Sequence, residues 1–110
     1  MKRYIPLLAV VALIAAAPAG AMSSGSLTGT VGPGFTISLS AKTVKAGTYK
    51  IVISDKSSIH NFHLTGPGVN KKTSVGATGT TTWTVTLKKG TYKYVCDPHA
   101  SSMNGSFKVA

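Results

Sequence analysis

Eight consecutive residues, Cys96-Asp97-Pro98-His99-Ala100-Ser101-Ser102-Met103, bring a thiol, an imidazole and a thioether together in a 110-residue chain with one cysteine and three histidines. Cysteine and methionine sulfurs are soft donors and imidazole is borderline, a set that suits copper better than calcium, magnesium or manganese. Thr91 to Cys96 reads as a strand, and Pro98 then blocks further ladder pairing, so His99 and Met103 fall on a loop that folds back over Cys96. That loop could offer three of four ligands to one ion. A copper site of this type takes two imidazoles and one thiolate in plane with a long axial thioether, so one more histidine is required from elsewhere.

The candidates are His60 and His63, in Ser58-Ile59-His60-Asn61-Phe62-His63-Leu64. In an extended strand successive side chains face opposite ways, so His60, Phe62 and Leu64 share one face and Asn61 and His63 the other. Phe62 and Leu64 mark the inward face. His60 is therefore the expected ligand, and His63 is expected to be exposed and unligated. Taken singly, Cys96 at a strand end is more often a small buried hydrophobe, Met103 a core filler and His99 a surface histidine. Their combination with His60-Asn61 favours a metal site. Zinc also accepts cysteine and histidine, but its structural sites favour several cysteines and a methionine ligand is unusual there.

His60-Asn61, followed much later by Cys96-x-x-His99-x-x-x-Met103, resembles the cupredoxins, the small blue copper proteins of the plastocyanin and amicyanin kind. Within it, His60-Asn61-Phe62-His63 is similar to the amicyanin pattern in which the first histidine binds copper and the second does not. The resemblance implies a Greek-key β-sandwich and copper ligands His60, Cys96, His99 and Met103. It also implies that Asn61, beside the metal, ties the two ligand loops together. The His99-to-Met103 spacing is one residue longer than in amicyanins and one shorter than in plastocyanins, which leaves the subfamily open.

The elements that must position these residues follow from chain order. Met1-Lys2-Arg3, an apolar run from Ile5 to Ala17 and the small residues Ala19-Gly20-Ala21 read as a secretory signal peptide over 1–21. The apolar run is shorter than the ~20 residues a membrane-spanning helix needs. Residues 22–26 read as a flexible leader and 27–110 as one domain. Strands are expected at Leu27 to Val31, Phe35 to Leu39, Thr48 to Ser54, Ser58 to Leu64, Thr80 to Leu87, Thr91 to Cys96 and Ser106 to Val109, with Gly and Pro between them. Seven to eight short alternating strands without helical periodicity argue for an all-β, antiparallel sandwich, and the pattern alone also suits a small barrel.

The formal charge is +10, and loss of Lys2 and Arg3 with the signal leaves +8. A single cysteine in an exported chain permits no internal disulfide and points to a ligand, an intermolecular partner or a free thiol. Three functions are compatible with the residues. One is a mobile carrier of single electrons that exchanges with redox proteins bearing an acidic docking surface. Another is copper delivery, storage or tolerance. An enzyme is disfavoured, because copper oxidases need further centres and only His63 remains after four ligands. A basic surface attracts nucleic acid, but export and inward-facing tyrosines argue against that partner. The expected species is an exported monomer, periplasmic, cell-surface or extracellular, holding one copper per chain.

Overall fold

A computed structural model describes residues 23–110, so the expected signal segment 1–21 lies outside the described residues. Nine strands follow in chain order: β1 Ser23–Val31, β2 Ile37–Leu39, β3 Thr43–Val44, β4 Gly47–Asp55, β5 His63–Gly66, β6 Val69–Lys72, β7 Gly79–Leu87, β8 Gly90–Val95 and β9 Asn104–Val109. They form two sheets, one ordered β2-β1-β4-β7 and the other β3-β9-β8-β5-β6. The chain passes repeatedly between the sheets, and this β-sandwich is the all-β fold expected from the sequence.

Alternation decides which face of each strand is inside. In β4, Tyr49, Ile51, Ile53 and Asp55 are buried, while the alternate residues Thr48 and Lys50 are exposed and Val52 and Ser54 half-buried. β7 buries Val85 and Leu87 and turns Thr80, Thr82, Thr84 and Thr86 to solvent, as its sequence requires. From the second sheet come Leu64, Tyr92, Tyr94, Phe107 and Val109. Two stacked aromatic pairs fill that half of the core: Phe62 on Tyr94 with ring centroids 5.4 Å apart, and Tyr92 on Phe107 at 5.3 Å. Gly105 lies under the Tyr94 ring, where an added Cβ would come within 2.5 Å of it.

Several boundaries differ from the sequence reading. Ser23 to Ser26, expected as part of a flexible leader, form the start of β1, which lies parallel to β4 from Ser23↔Gly47 to Val31↔Asp55. β3 also pairs in parallel, with β9, so the sheets are mixed where antiparallel pairing was expected. The physical reason is the connection. Between β1 and β4 the chain passes through β3 in the opposite sheet and re-enters running the same way, a crossover that two-residue hairpins cannot make. Gly66-Pro67-Gly68, in the Gly- and Pro-punctuated stretch after the expected Ser58 to Leu64 strand, makes a tight hairpin into an additional strand, β6. Proline followed by Gly68 at φ +72 is the sequence such a turn needs.

Candidate metal centre

The site is assembled from three connections at one end of the sandwich: the β1–β2 loop, the segment leading into β5, and the loop from β8 to β9. Cys96 immediately follows β8 and is fully buried. After it, Asp97–His99 form one 3-10 turn with Pro98 in its first positions, where a missing N–H costs nothing. The backbone then closes on itself. His99 N donates to the Cys96 carbonyl at 3.0 Å, Met103 N to the His99 carbonyl at 2.8 Å and Cys96 N to the Met103 carbonyl at 3.0 Å. Met103, 1% exposed, belongs to the same core cluster as Cys96.

His60 arrives from the other side, fully buried. The sequence-based choice between the two histidines agrees with their placement, but the local conformation does not. β5 begins only at His63, and His60, Asn61 and Phe62 are all buried, so no strand alternation holds over them. Each is held by a specific contact. Phe62 N donates to Thr73 Oγ1 at 2.9 Å, and Thr73 N donates to the Phe62 carbonyl at 3.0 Å. His60 Nε2 lies 2.9 Å from the Gly34 carbonyl. A carbonyl only accepts, so Nε2 carries the proton and the Nδ1 lone pair is free to face inward.

His60 Nδ1, His99 Nδ1 and Cys96 Sγ converge. Their separations are 3.2 Å between the nitrogens, 3.5 Å from sulfur to His99 and 3.7 Å from sulfur to His60. The point equidistant from the corners of that triangle lies about 2.0 Å from each, against ~2.0–2.1 Å for a zinc–imidazole and ~2.3 Å for a zinc–thiolate bond. Three donor atoms of borderline and soft type therefore surround a space of first-row-metal size. Among the described residues this is also the one cluster of three or more histidine, cysteine or acidic side chains able to hold an ion.

Asn61 joins the two sides. Its Oδ1 accepts from Asp97 N at 2.8 Å, and its Nδ2 donates to Asp97 Oδ2 at 2.8 Å and to the Thr73 carbonyl at 3.1 Å. The residue after His60 is thus bonded to the residue after Cys96. Burial pushes the Asp97 carboxyl up, but hydrogen bonds from Asn61 and His63 outweigh it and hold the group below its ordinary value. The hydrogen bond from Asp97 raises His63 above its ordinary value, against the opposing effects of partial burial and Lys72.

Sequence reasoning missed Phe35. Expected in a strand, it lies before β2 and is 60% exposed, with its ring edge-on to both His60 and His99 at centroid distances of 5.3 and 5.0 Å. Its only sequence signal was position, directly after Gly32-Pro33-Gly34. Thr73 was also missed, since nothing in Lys71-Lys72-Thr73 shows that its hydroxyl will take the place of a strand partner.

The fold and the donor triangle together define a copper protein of the cupredoxin class. The profile of the copper binding proteins of the plastocyanin/azurin family matches residues 26–110. The chain belongs to that family, and the His60, Cys96 and His99 cluster fits a single copper ion. Among solved structures, reduced rusticyanin superposes with a TM-score of 0.62 at 24% identity, covering 79% of this chain and 79% of that one. Rusticyanin from Thiobacillus ferrooxidans gives 0.60 at 23%, covering 79% and 77%. At these identities the likeness carries the fold alone. No curated protein matches the chain in sequence.

Proposed function

We propose that His60, Cys96, His99 and Met103 ligate one copper ion and that the protein carries single electrons between redox partners outside the cytoplasm. The observation that carries this reading is the donor triangle, with His60 and Cys96 buried and His99 half-buried, set in place by the Gly34 contact on His60 and by the backbone hydrogen bonds of the Cys96–Met103 loop, independent of any metal. Copper bound there would cycle between two oxidation states, with a thiolate and a thioether suited to both. The residues of the chain supply what such a cycle needs, which is a site that does not rearrange. The Gly34 carbonyl holds the His60 ring, the Cys96–Met103 backbone bonds hold the loop, and Asn61 holds one to the other.

A surface suited to partner docking surrounds the site. Among the described residues the exposed large hydrophobics are Phe35, Ile59 and Val75. Phe35 covers the histidines, Ile59 precedes His60, and Val75 shares a cleft with Asn61 and Asp97. Pro98 and Ala100 are exposed on either side of His99. Apolar contact at this end, with long-range attraction from the lysines, favours an acidic redox protein as partner and a monomeric carrier. Among the described residues no helix is long and apolar enough to cross a membrane.

Titration of the metal-free protein with Cu(II), followed optically, tests the reading. One equivalent should produce an intense thiolate charge-transfer band, lost in Cys96→Ala and lost or strongly distorted in His60→Ala. A weak band with ready loss of copper to a mild chelator would refute the carrier and favour copper delivery or storage.

A further inference from the structure

His63 is the histidine left out of the donor triangle, yet both of its ring nitrogens are engaged. Nδ1 lies 2.9 Å from Asp97 Oδ1 and Nε2 lies 2.7 Å from Asn70 Oδ1. The Asp97 carboxylate only accepts, so Nδ1 carries a proton; with the Asn70 amide oxygen toward the ring Nε2 donates as well and the ring is an imidazolium, and with the amide turned the same site holds the neutral ring. The ring therefore joins β6, through Asn70, to the residue that follows Cys96. From Asp97 the contacts run on to Asn61, the residue that follows His60.

The groups facing His63 are few. Asp97 comes from the loop after β8. β6 supplies Asn70 and the register partner Lys72, and β8 supplies Val95, which carries no charge. Asp97 is the one acidic group among them and Lys72 the one competing cation. The bond to Asp97 outweighs burial and Lys72, so His63 holds its proton to higher pH than an ordinary histidine with a pKa of 6.5.

The geometry points to His63 and Asp97 as a positioning pair that couples one proton to the electron held at the copper centre. The inference rests on the copper reading above. With His63 protonated, the Asp97 carboxylate beside Cys96 is neutralised. When the Nε2 proton leaves for solvent, the amide of Asn70 can turn and donate to the bare nitrogen, so the link to β6 persists and only the charge changes. An unbalanced carboxylate then stands next to the thiolate ligand and favours the more positive, oxidised metal. In the reverse direction, an electron arrives from a redox protein and a proton is taken from water by His63, with no ligand bond made or broken. By linkage, the factor by which reduction tightens proton binding at His63 equals the factor by which protonation favours reduction.

The test combines the reduction potential of the copper-loaded protein across neutral pH with NMR titration of the His63 ring in the copper-free and reduced forms. In the wild type the potential should fall through the His63 titration and then level, by an amount that corresponds to severalfold tighter proton binding in the reduced form than in the oxidised one, and the ring titration in the reduced form should mark the alkaline end of that fall. In His63→Gln the fall should vanish. In copper-free Asp97→Asn the proton affinity of His63 should drop severalfold. A purely structural role would lower stability in both variants and leave the pH slope of the potential unchanged. Equal slopes in wild type and His63→Gln, or a His63 titration that Asp97→Asn does not move, would overturn the inference. A wild type lacking the thiolate band would instead overturn the copper reading, and the inference with it.

Discussion

Asn61→Ala is the sharpest test of how the site is held. The side chain is 1% exposed and makes three hydrogen bonds, two of them to Asp97 at 2.8 Å and one to the Thr73 carbonyl at 3.1 Å. A neutral bond contributes about 1 kcal/mol net and one to a charged group about 1.5–3 kcal/mol. Asp97 is partly exposed, 40% on the side-chain scale, so water replaces part of what its carboxylate loses and the lower end of that range applies. Taken together, truncation should cost about 3–4 kcal/mol, a large share of the roughly 5–15 kcal/mol that stabilises a domain. In the copper-free protein this corresponds to a fall in Tm of order 15 °C or more, at about 4–8 °C per kcal/mol for a small domain. The assay is denaturant unfolding of metal-free wild type and variant, with the slope checked for constancy. A loss below about 1 kcal/mol would refute the argument that Asn61 is the tie between the two ligand segments. Asn61→Asp separates shape from charge: it keeps the acceptor toward Asp97 N but sets a carboxylate against Asp97 Oδ2, and it should be at least as damaging.

Three further outcomes are expected. Gly105→Ala drives a methyl group into the Tyr94 ring and should destabilise by about 1–3 kcal/mol, whereas Gly76→Ala, with nothing within 4 Å, should stay within about 0.5 kcal/mol; denaturant midpoints decide both. The His63–Asp97 pair contributes below about 1 kcal/mol, being partly exposed. Because folding raises His63 and lowers Asp97, its contribution is complete between their ordinary values of 3.8 and 6.5; it fades as pH rises through the folded His63 value or falls through the folded Asp97 value. Stability curves of wild type and His63→Gln should therefore converge at alkaline pH. Electron exchange with an acidic redox protein should slow as ionic strength rises, since exposed charges are screened over about 10 Å at ~0.1 M salt. Ala100→Glu should slow it further with the copper spectrum unchanged, and stopped-flow rates flat in salt would refute the docking argument.

The alternating strands were legible because their code is local. Thr80 to Leu87 and Thr48 to Ser54 each state their own inside and outside, and β7 and β4 obey it. What the sequence hid was pairing. Ser23 to Ser26 are small and polar, with the composition of a flexible leader. They are held in a strand by β4, whose Gly47, Thr48, Tyr49 and Lys50 lie opposite them. No property of the four residues themselves announces that partner. The same holds for β3, two residues long and dependent on β9. Short strands are specified by their neighbours, and single-chain periodicity has no access to those neighbours.

The site shows the converse. His60, Cys96 and His99 could be singled out as one cluster because metal chemistry restricts which residue types can meet, even though the strand geometry used to choose His60 over His63 is not the geometry present. His60 lies inside and His63 outside for a deeper reason than parity. Phe62 and Leu64 must be buried wherever the strand begins, and the chain two residues before Phe62 is pulled inward with it, by the Thr73 contacts on Phe62 and the Gly34 carbonyl on His60. Asn61 is buried for its hydrogen bonds rather than its hydrophobicity, and that is what breaks the alternation. Local departure from a strand pattern here marks the place where polar side chains take over from the backbone ladder, and those same side chains fix the donor atoms. His63 resumes the pattern at the first residue of β5. It faces outward as expected, but toward Asp97 and Asn70 rather than into open solvent, and through Asp97 it remains one residue from the buried thiol.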